Sequence, residues 1–315
     1  MLLTTAVLAL VFALVVAAVV VVVARRRRAK SAQPVAIVEA PADLHGVTPH
    51  AGEVERGRPL PVVLVHGLFG FDRIGLPGAR LDYFRGIARH LDQLGCDAHA
   101  VRLPPSSSVP ARAQELVLAI DALPHPRIDL VAHSLGGLDA RYALSHLGLS
   151  RRVRSLVTIG TPHRGTPIAD LATRGPLHWA RKLLGAVGLS SMEALEWLST
   201  DSLARFNRDV PDHPGVRYAC VVGGLRARRP RMPLPLVPAH AYLRRVAGAN
   251  DGLVPMSSQY WGETLAEIEA DHWAQIGWMM SVRSTPFDAL GLYAFVVARL
   301  GDAPPIQHAI ASAQA

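Results

Sequence analysis

The chain has 315 residues, of which 50% are hydrophobic and 18% are charged, so it is not an intrinsically disordered protein. Its formal charge is +8, and arginine carries most of the basicity because Lys30 and Lys182 are the only lysines. We find no nucleic-acid-binding motif beside that charge, so we expect no nucleic acid partner and one α/β domain with appendages.

The amino-terminal segment 1–24 is almost entirely apolar. As a helix it would extend roughly 36 Å, which exceeds the ~30 Å hydrocarbon core of a bilayer. Arg25–Arg28 follow directly, the reverse of the charge order in a secretory signal peptide. We therefore predict an uncleaved single-pass transmembrane anchor, with the following domain on the cytoplasmic side. The alternative is an atypical export signal with the domain outside. Residues 25–59 are predicted to be a basic stop-transfer segment and a flexible linker.

The centre of the sequence is a short strand that stops at a serine. Ile128–Val131 is apolar except for Asp129, which is typical of a buried strand of a parallel sheet. Ser134 and two glycines follow, and a helix is predicted from Leu138. A serine at such a corner matches the nucleophile elbow G-x-S-x-G, here with Ala132 in place of the first glycine. The alternative is that the serine merely caps the helix.

An earlier strand, predicted at 61–65, leads into the glycine-rich turn His66-Gly67-Leu68. A turn of this kind after an early strand can direct a backbone N–H toward a reacting centre. We predict that the N–H groups of Leu68 and Leu135 form an oxyanion hole, where each donor would be worth a few kcal/mol. The alternative is an ordinary turn between a strand and a helix.

Strands and helices alternate over one predicted α/β domain, residues 60–300. This alternation predicts a mostly parallel central sheet with helices on both faces. The remaining predicted strands are 96–103, 153–159 and 216–222, and the remaining helices are 81–94, 111–123 and 286–300. The segment 301–315 is predicted to be a frayed tail.

Strand signals stop between about 166 and 214, where short amphipathic helices are predicted at 177–187 and 192–206. A helical insertion at this point could form a lid over an active site. Its apolar residues could line an acyl-chain pocket or pack on the core: Leu183, Leu184, Val187, Leu189, Met192, Leu195, Trp197 and Leu198. The later segment 225–249 is predicted to be an irregular insertion.

A nucleophilic serine needs a histidine base and a carboxylate that orients the histidine. On this type of fold the acid and then the histidine follow the serine along the chain. Only His272 and His308 follow the best acid candidate, and His308 lies in the tail, so we assign the base to His272. The predicted acid is Asp251, in an Asn-Asp-Gly turn. Two other carboxylates compete for that role: Asp271 and Glu263.

The two cysteines, Cys96 and Cys220, each lie in or beside a predicted strand. We expect two buried free thiols because buried cysteine often behaves as a small apolar residue. A disulfide between them stays open at this point, since the sequence alone does not exclude the pairing.

Several segments of the chain resemble the α/β-hydrolases, and in particular the bacterial triacylglycerol lipases of the Pseudomonas and Burkholderia type. The resemblance implies a catalytic triad of Ser134, Asp251 and His272, with Leu68 and Leu135 as oxyanion donors. The matching segments are 63–68, 132–142, 158–165 (with the string Thr-Pro-His-Arg-Gly) and 250–255.

The chain departs from these lipases at the positions of a structural calcium ion. The family places an Asp and a Gln shortly after the catalytic histidine, where this chain has Ala274 and Trp278. We therefore expect no calcium and no other cofactor.

Taken together, the sequence predicts a membrane-tethered serine hydrolase that cleaves lipidic carboxylic esters through an acyl-enzyme intermediate. The alternatives are another acyl-transfer enzyme on the same fold (a phospholipase, thioesterase or acyltransferase) or a non-catalytic interaction module. The sequence does not define an oligomeric state.

Overall fold

The computed structural model describes residues 60–68, 74–76, 79–105, 107–174, 193–227, 230–278 and 287–301. The strands in this part of the chain are β1 (Val62–Val65), β2 (Ile74–Leu76), β3 (Ala79–Leu81), β4 (Ala98–Ala100), β5 (Ile128–His133), β6 (Val153–Ile159), β7 (Arg217–Gly223) and β8 (Glu263–Ile268). The helices are α1 (Ile87–Gln93), α2 (Val109–Asp121), α3 (Gly136–His146), α4 (Pro167–Arg174), α5 (Glu193–Trp197), α6 (Thr200–Asp209), α7 (Val237–Val246), α8 (Met256–Gln259) and α9 (Ala289–Val297).

A six-stranded sheet in the order β4-β1-β5-β6-β7-β8 forms the centre of the fold, and every neighbouring pair in it is parallel. The predicted α/β architecture with a parallel central sheet is confirmed. Because the strands are parallel, their carboxyl ends lie at one edge, and the segments that follow β1, β5, β6 and β8 meet there. β2 and β3 form a separate antiparallel pair.

Helices cover both faces of the sheet. Alternate residues of β1 face opposite sides, as the period of a strand requires: Val63 and Val65 pack in the core beneath α2 and α3, and Val62 and Leu64 pack in the core beneath α1 and α9. The central strands are therefore buried on both faces, which explains their nearly continuous apolar sequence.

The one polar residue early in β5 is paired rather than exposed. Asp129 is fully buried and accepts hydrogen bonds from Arg154 Nε at 3.0 Å and Ser155 Oγ at 2.7 Å, both on β6. Burial of a carboxylate is costly unless it is paired. This pairing makes a buried charge compatible with the interior of the sheet.

The structure corrects several element boundaries. The segment 225–249, predicted to be irregular, contains α7, whose buried face includes Ala239 and Leu243. The strand predicted at 96–103 is only β4. Residue 81, the predicted start of a helix, is the last residue of β3, and the helix begins at Ile87. Both cysteines are free thiols; Cys220 is buried, whereas Cys96 is only partly buried.

The described part of the helical insertion packs against the core. Leu195 and Leu198 lie in a buried cluster with Leu135 and Leu138, and Trp197 packs against the same cluster. For these residues core packing is the observed role. The other apolar positions named for a lid, at 183–192, lie outside the described residues.

The predicted membrane anchor at 1–24, the linker at 25–59 and the tail beyond residue 301 also lie outside the described residues. Within the residues that are described, none of the helices has the length and apolar character needed to cross a bilayer.

Candidate active site

Ser134 lies at the carboxyl end of β5 in a strained backbone conformation. Its φ of 57° makes it the only non-glycine residue with a positive φ in the described part of the chain. A side chain in the left-handed region is uncommon and persists where the surrounding structure enforces it. Here Ser134 N–H donates to Ile159 O at 2.9 Å, and Thr161 Oγ1 donates to Ser134 O at 2.8 Å. The sharp corner turns the serine hydroxyl out of the sheet.

The structure brings the three predicted triad residues into hydrogen-bonding contact. His272 Nε2 lies 3.0 Å from Ser134 Oγ, and His272 Nδ1 lies 2.7 Å from Asp251 Oδ2. The backbone reinforces the second contact, because His272 N–H donates to Asp251 O at 2.8 Å. An imidazole between a hydroxyl and a carboxylate can remove the proton of the hydroxyl while the carboxylate fixes its orientation.

The carboxylate of Asp251 is fully buried and surrounded by donors. Its Oδ1 accepts from the N–H groups of Leu253 at 2.9 Å and Val254 at 2.7 Å. Its Oδ2 accepts from Gln259 Nε2 at 3.3 Å and Gln275 Nε2 at 3.2 Å, in addition to His272. Hydrogen bonds to the charged form of a carboxylate favour that form. These donors therefore fix the position of the carboxylate next to the imidazole.

The two competing acids have other partners. Asp271 Oδ1 accepts from the N–H groups of Trp273 and Ala274, both at 3.0 Å, and so stabilises the turn that follows His272. Burial raises the pKa of Asp271 to about 6. Glu263 pairs with Arg217 Nη2 at 2.7 Å. Neither acid contacts an imidazole nitrogen of His272 within the described residues.

Gly67, in the turn after β1, lies directly against the serine. A Cβ at this position would approach Ser134 Cβ to 2.7 Å and Tyr83 Oη to 2.9 Å, so only glycine fits without displacement. The next residue is Leu68, and Leu135 follows the serine. Within the described part of the chain, neither Leu68 N–H nor Leu135 N–H donates a hydrogen bond. The close contact of Gly67 with Ser134 therefore places the turn after β1 against the serine.

A fully buried ion pair stabilises this turn. Arg112, on α2, donates from Nε to Asp139 Oδ2 at 2.8 Å and from Nη2 to His66 O at 2.8 Å. It also donates to Pro104 O. Asp139 belongs to α3, the helix that follows the serine, and burial raises its pKa. The pair links the turn after β1 to the helix of the elbow.

Three histidines around the site are buried and held neutral. Burial, and secondarily Arg112, lowers the pKa of His66 to about 4; its Nε2 accepts from Leu103 N–H at 2.9 Å and its Nδ1 donates to Gly67 O at 2.9 Å. Burial also lowers the pKa of His133 and His163 well below the usual value. His133 Nδ1 lies 2.7 Å from Tyr83 Oη. These side chains act as fixed hydrogen-bonding groups.

The Thr-Pro-His-Arg-Gly string supports the elbow from the adjacent strand. Thr161 binds the carbonyl of Ser134, and His163 Nε2 contacts Thr158 Oγ1 at 3.0 Å. Arg164 Nη1 donates to Tyr260 O at 2.8 Å, near the residues that bind Asp251. The string therefore connects the serine side of the site to the acid side.

The positions that hold calcium in the lipases do not offer oxygen ligands here. Ala274 is buried in a short 3₁₀ turn, Ala274–Ile276. The indole Nε1 of Trp278 donates to Tyr83 O at 2.8 Å. Hard cations such as Ca²⁺ require carboxylate, amide or carbonyl oxygens, so these two side chains do not fit the ion.

Sequence reasoning missed Gln259, Gln275 and Arg112. Gln275 lies between Gly160 and Gly223, where an added Cβ would come within 2.2 Å of its amide in each case. Gly160 follows a core strand and Gly223 ends one, and glycines at such positions are a sequence signal of close packing. That Gln275 is the residue packed against them is evident only in the folded chain.

The chain was also compared with known protein families, sequences and structures. A family described as a domain of unknown function (DUF7379) matches residues 36–187. The chain is 35% identical to a triacylglycerol lipase of Vibrio cholerae serotype O1 over 115 residues, which cover 35% of this chain and 35% of the relative. The chain thus spans well under two thirds of that relative's length.

Two further matches cover more of the chain. A triacylglycerol lipase of Pseudomonas fragi is 27% identical over 288 residues, covering 77% of this chain and 96% of the relative. The mature form of the Bacillus licheniformis lipase BlEst2 matches with a TM-score of 0.56 and 26% identity over 71% of this chain and 90% of the lipase. With its parallel sheet and its serine elbow, the chain has the α/β-hydrolase fold and is similar to these lipases.

Proposed function

We propose that the chain is a carboxylic ester hydrolase that uses Ser134 as nucleophile, His272 as general base and Asp251 as the orienting acid. The observation that carries the proposal is the continuous contact from serine to imidazole to carboxylate, 3.0 Å and 2.7 Å long. The lipase relatives support the reaction class.

In the proposed reaction, Ser134 Oγ attacks the ester carbonyl carbon while His272 Nε2 takes the hydroxyl proton. The carbonyl oxygen becomes an oxyanion, and the N–H groups of Leu68 and Leu135 stabilise it. His272 then gives the proton to the leaving alcohol as the C–O bond breaks, which leaves an acyl-serine. Water attacks the acyl carbon with His272 again as base, and the proton returns to Ser134 as the acid departs.

We further propose a lipidic ester as the substrate class and a membrane tether at residues 1–24, with the domain on the cytoplasmic side. The support comes from the apolar amino-terminal segment followed by arginines, and from the lipase relatives. A tether at the bilayer would keep the site near such esters. Digestion of the domain by protease added to intact spheroplasts would contradict this orientation.

The test of the proposed function compares wild type with Ser134→Ala. Wild type is expected to hydrolyse p-nitrophenyl acyl esters and to react covalently with a fluorophosphonate probe at Ser134. Ser134→Ala is expected to lose both, with hydrolysis falling by at least about 10⁴-fold. Wild-type rates in the purified variant would contradict the mechanism, and an inert Ser134 in wild type would favour a non-catalytic interaction module.

The rival acyl-transfer activities are distinguished by their products. Incubation with triacylglycerol, phospholipid, acyl thioester and an alcohol acceptor, followed by mass spectrometry, identifies the bond that is cleaved and the group that accepts the acyl chain. Release of free fatty acid from a carboxylic ester without transfer to the alcohol supports the proposed hydrolase.

A further inference from the structure

A cluster of Asp97, His99 and His125 lies at the amino end of the sheet, and the proposed hydrolysis does not use it. Asp97 immediately precedes the edge strand β4, and His99 lies within it. Residues two apart on a strand face the same side, which places both side chains together. His125 reaches them from the segment between α2 and β5.

The side chains converge through their ligand atoms. His99 Nε2 lies 2.8 Å from Asp97 Oδ1, and His125 Nε2 lies 3.1 Å from Asp97 Oδ2. The two imidazole centroids are 5.5 Å apart. One potential ligand atom from each residue lies within 4.8 Å of the others. Both histidines thus direct the same ring nitrogen toward one carboxylate.

The contact between His99 and Asp97 is close without being a well-aligned hydrogen bond. His99 Nε2 is buried, and no described group forms a hydrogen bond of acceptable geometry with it. A buried nitrogen without such a partner is unfavourable. A cation placed between the imidazoles and the carboxylate would satisfy this nitrogen directly.

We propose that Asp97, His99 and His125 bind a zinc ion, with water completing the coordination. Imidazole and carboxylate are suitable zinc ligands, and three protein ligands with an open fourth position form a recognised type of site. Zn–N and Zn–O bonds of about 2.0–2.2 Å place tetrahedral ligand atoms roughly 3.3 Å apart. The two observed imidazole–carboxylate separations are near that value, and one ligand atom of each residue lies within 4.8 Å of the others. Mg²⁺ and Ca²⁺ prefer oxygen ligands and fit this set poorly.

Solvent can reach the cluster. The side chains of Asp97, His99 and His125 are 52%, 32% and 25% exposed, respectively, so the cluster lies at the protein surface. Bound zinc would connect the edge strand to the segment before β5. Because β4 has a neighbour in the main sheet on one side only, we expect the metal to stabilise this edge.

The zinc site is separate from the proposed catalytic centre. The cluster lies at the amino ends of the strands, whereas Ser134 follows the carboxyl end of β5, roughly 20 Å along a six-residue strand. The inference does not depend on the proposed function, and its readout is metal binding. Failure of one proposal therefore leaves the other intact.

The experiment titrates Zn²⁺ into the tag-free, full-length chain in detergent, in competition with a colorimetric zinc indicator. Wild type is expected to bind about one equivalent at micromolar concentrations, and excess Mg²⁺ is not expected to displace it. His99→Gln and His125→Gln are expected to weaken binding by about 100-fold. His213→Gln, which removes an exposed histidine outside the cluster, is the matched control and should bind as wild type does.

A second measurement guards against misfolded variants. Saturating zinc is expected to raise the melting temperature of wild type and of His213→Gln by about 5 °C, and to leave the two cluster variants unchanged. If a histidine variant unfolds without zinc, Asp97→Asn at the surface replaces it and is expected to weaken binding by about tenfold. The proposal would be overturned if wild type showed no micromolar binding, or if Asp97→Asn and the histidine variants bound zinc as tightly as wild type does.

Discussion

Polar side chains at the two ends of the parallel sheet differ in burial and in the partners they bind. At the carboxyl end, Asp251 is fully buried and binds two backbone N–H groups and three side chains. At the amino end, Asp97 and its two histidines are partly exposed and contact mainly one another. A buried charge must be paired by the protein itself, whereas an exposed group can be satisfied by solvent or an ion.

The histidines follow the same division. His66 and His163, near the carboxyl end, are buried and neutral, and their ring nitrogens have protein partners. The side chains of His99 and His125, near the amino end, are partly exposed. Residue type alone therefore does not predict the role of a histidine. Burial makes it a structural group at the carboxyl end of the sheet, whereas partial exposure leaves it available as a ligand at the amino end.

The largest expected effect tests whether Asp251, rather than the competing acid Asp271, orients His272. Asp251→Asn is expected to lower kcat by about 10³–10⁴-fold, because an amide cannot stabilise the imidazolium of His272. Asp271→Asn is the matched control, since its side chain still accepts from the backbone, and should retain activity within about tenfold. Steady-state hydrolysis of a p-nitrophenyl ester measures both. A greater loss in Asp271→Asn would reverse the assignment of the acid.

A smaller effect is expected from the donors around Asp251. Gln275→Met keeps the approximate shape of the side chain but removes the amide that donates to Asp251 Oδ2. We expect kcat to fall about tenfold with little change in KM, because a hydrogen bond to a charged group is worth about 1.5–3 kcal/mol and the remaining donors compensate in part.

Proton NMR separates positioning from general damage in this variant. The resonance of the His272 Nδ1 proton, shared with Asp251, is expected to shift in Gln275→Met while the melting temperature changes little. An unchanged resonance together with normal kcat would show that Gln275 only fills space between Gly160 and Gly223.

The buried histidines give a prediction about stability and pH. The folded-state pKa of His66 is about 4, below the ordinary value of 6.5, so the unfolded chain binds a proton first as the pH falls. The resulting stabilisation is present above pH 6.5 and is lost toward pH 4. Between pH 6.5 and 5, the free energy of unfolding is expected to fall in wild type because His66 stays neutral in the folded state. In His66→Gln we expect the fall to be smaller by about 1 kcal/mol.

Urea unfolding at the two pH values measures this difference. The raised pKa values of Asp139 and Asp271 act in the opposite direction, but they are common to both proteins and cancel in the comparison. Parallel dependence on pH in wild type and His66→Gln would show that His66 is not held neutral in the folded state.

The smallest effect is expected for an exposed pair at the amino end. Arg152 Nη1 lies 3.0 Å from Asp121 Oδ1, and the side chain of Asp121 is 58% exposed. Asp121→Asn is expected to change the free energy of unfolding by less than about 0.5 kcal/mol, as is usual for surface pairs. Loss of more than about 2 kcal/mol in a urea titration would show that exposure is a poor guide to energetic weight in this protein.

The sequence predicted the parallel sheet well because local signals were sufficient. Val153–Ile159 and the strand before Ser134 are apolar runs bounded by turn residues, and such runs indicate buried strands directly. The helix at 237–246 was missed because prolines and arginines surround it and suggested an irregular segment. Its stability comes from tertiary packing of residues such as Leu243, which local propensity does not register.

The candidate site shows the same limit. The chain order of serine, acid and histidine suggested Ser134, Asp251 and His272, and the fold brings these three together. Gln275 could not be identified in this way, because its role depends on Asp251 lying beside it. Contacts of that kind are set by how separate strands end at one edge, and a single sequence carries no direct record of them.

The amino-acid sequence by itself determined where the strands run, where the chain must turn and which residue types stand at the turns, since these depend on neighbours along the chain. The tertiary structure decided which groups meet: Ser134 and His272 are 138 positions apart, and their contact exists only because parallel strands end at a common edge. The same packing gathers Asp97, His99 and His125 at the opposite edge. Separation along the chain hides such pairs, and burial then fixes whether each group is paired by protein or left open to a ligand.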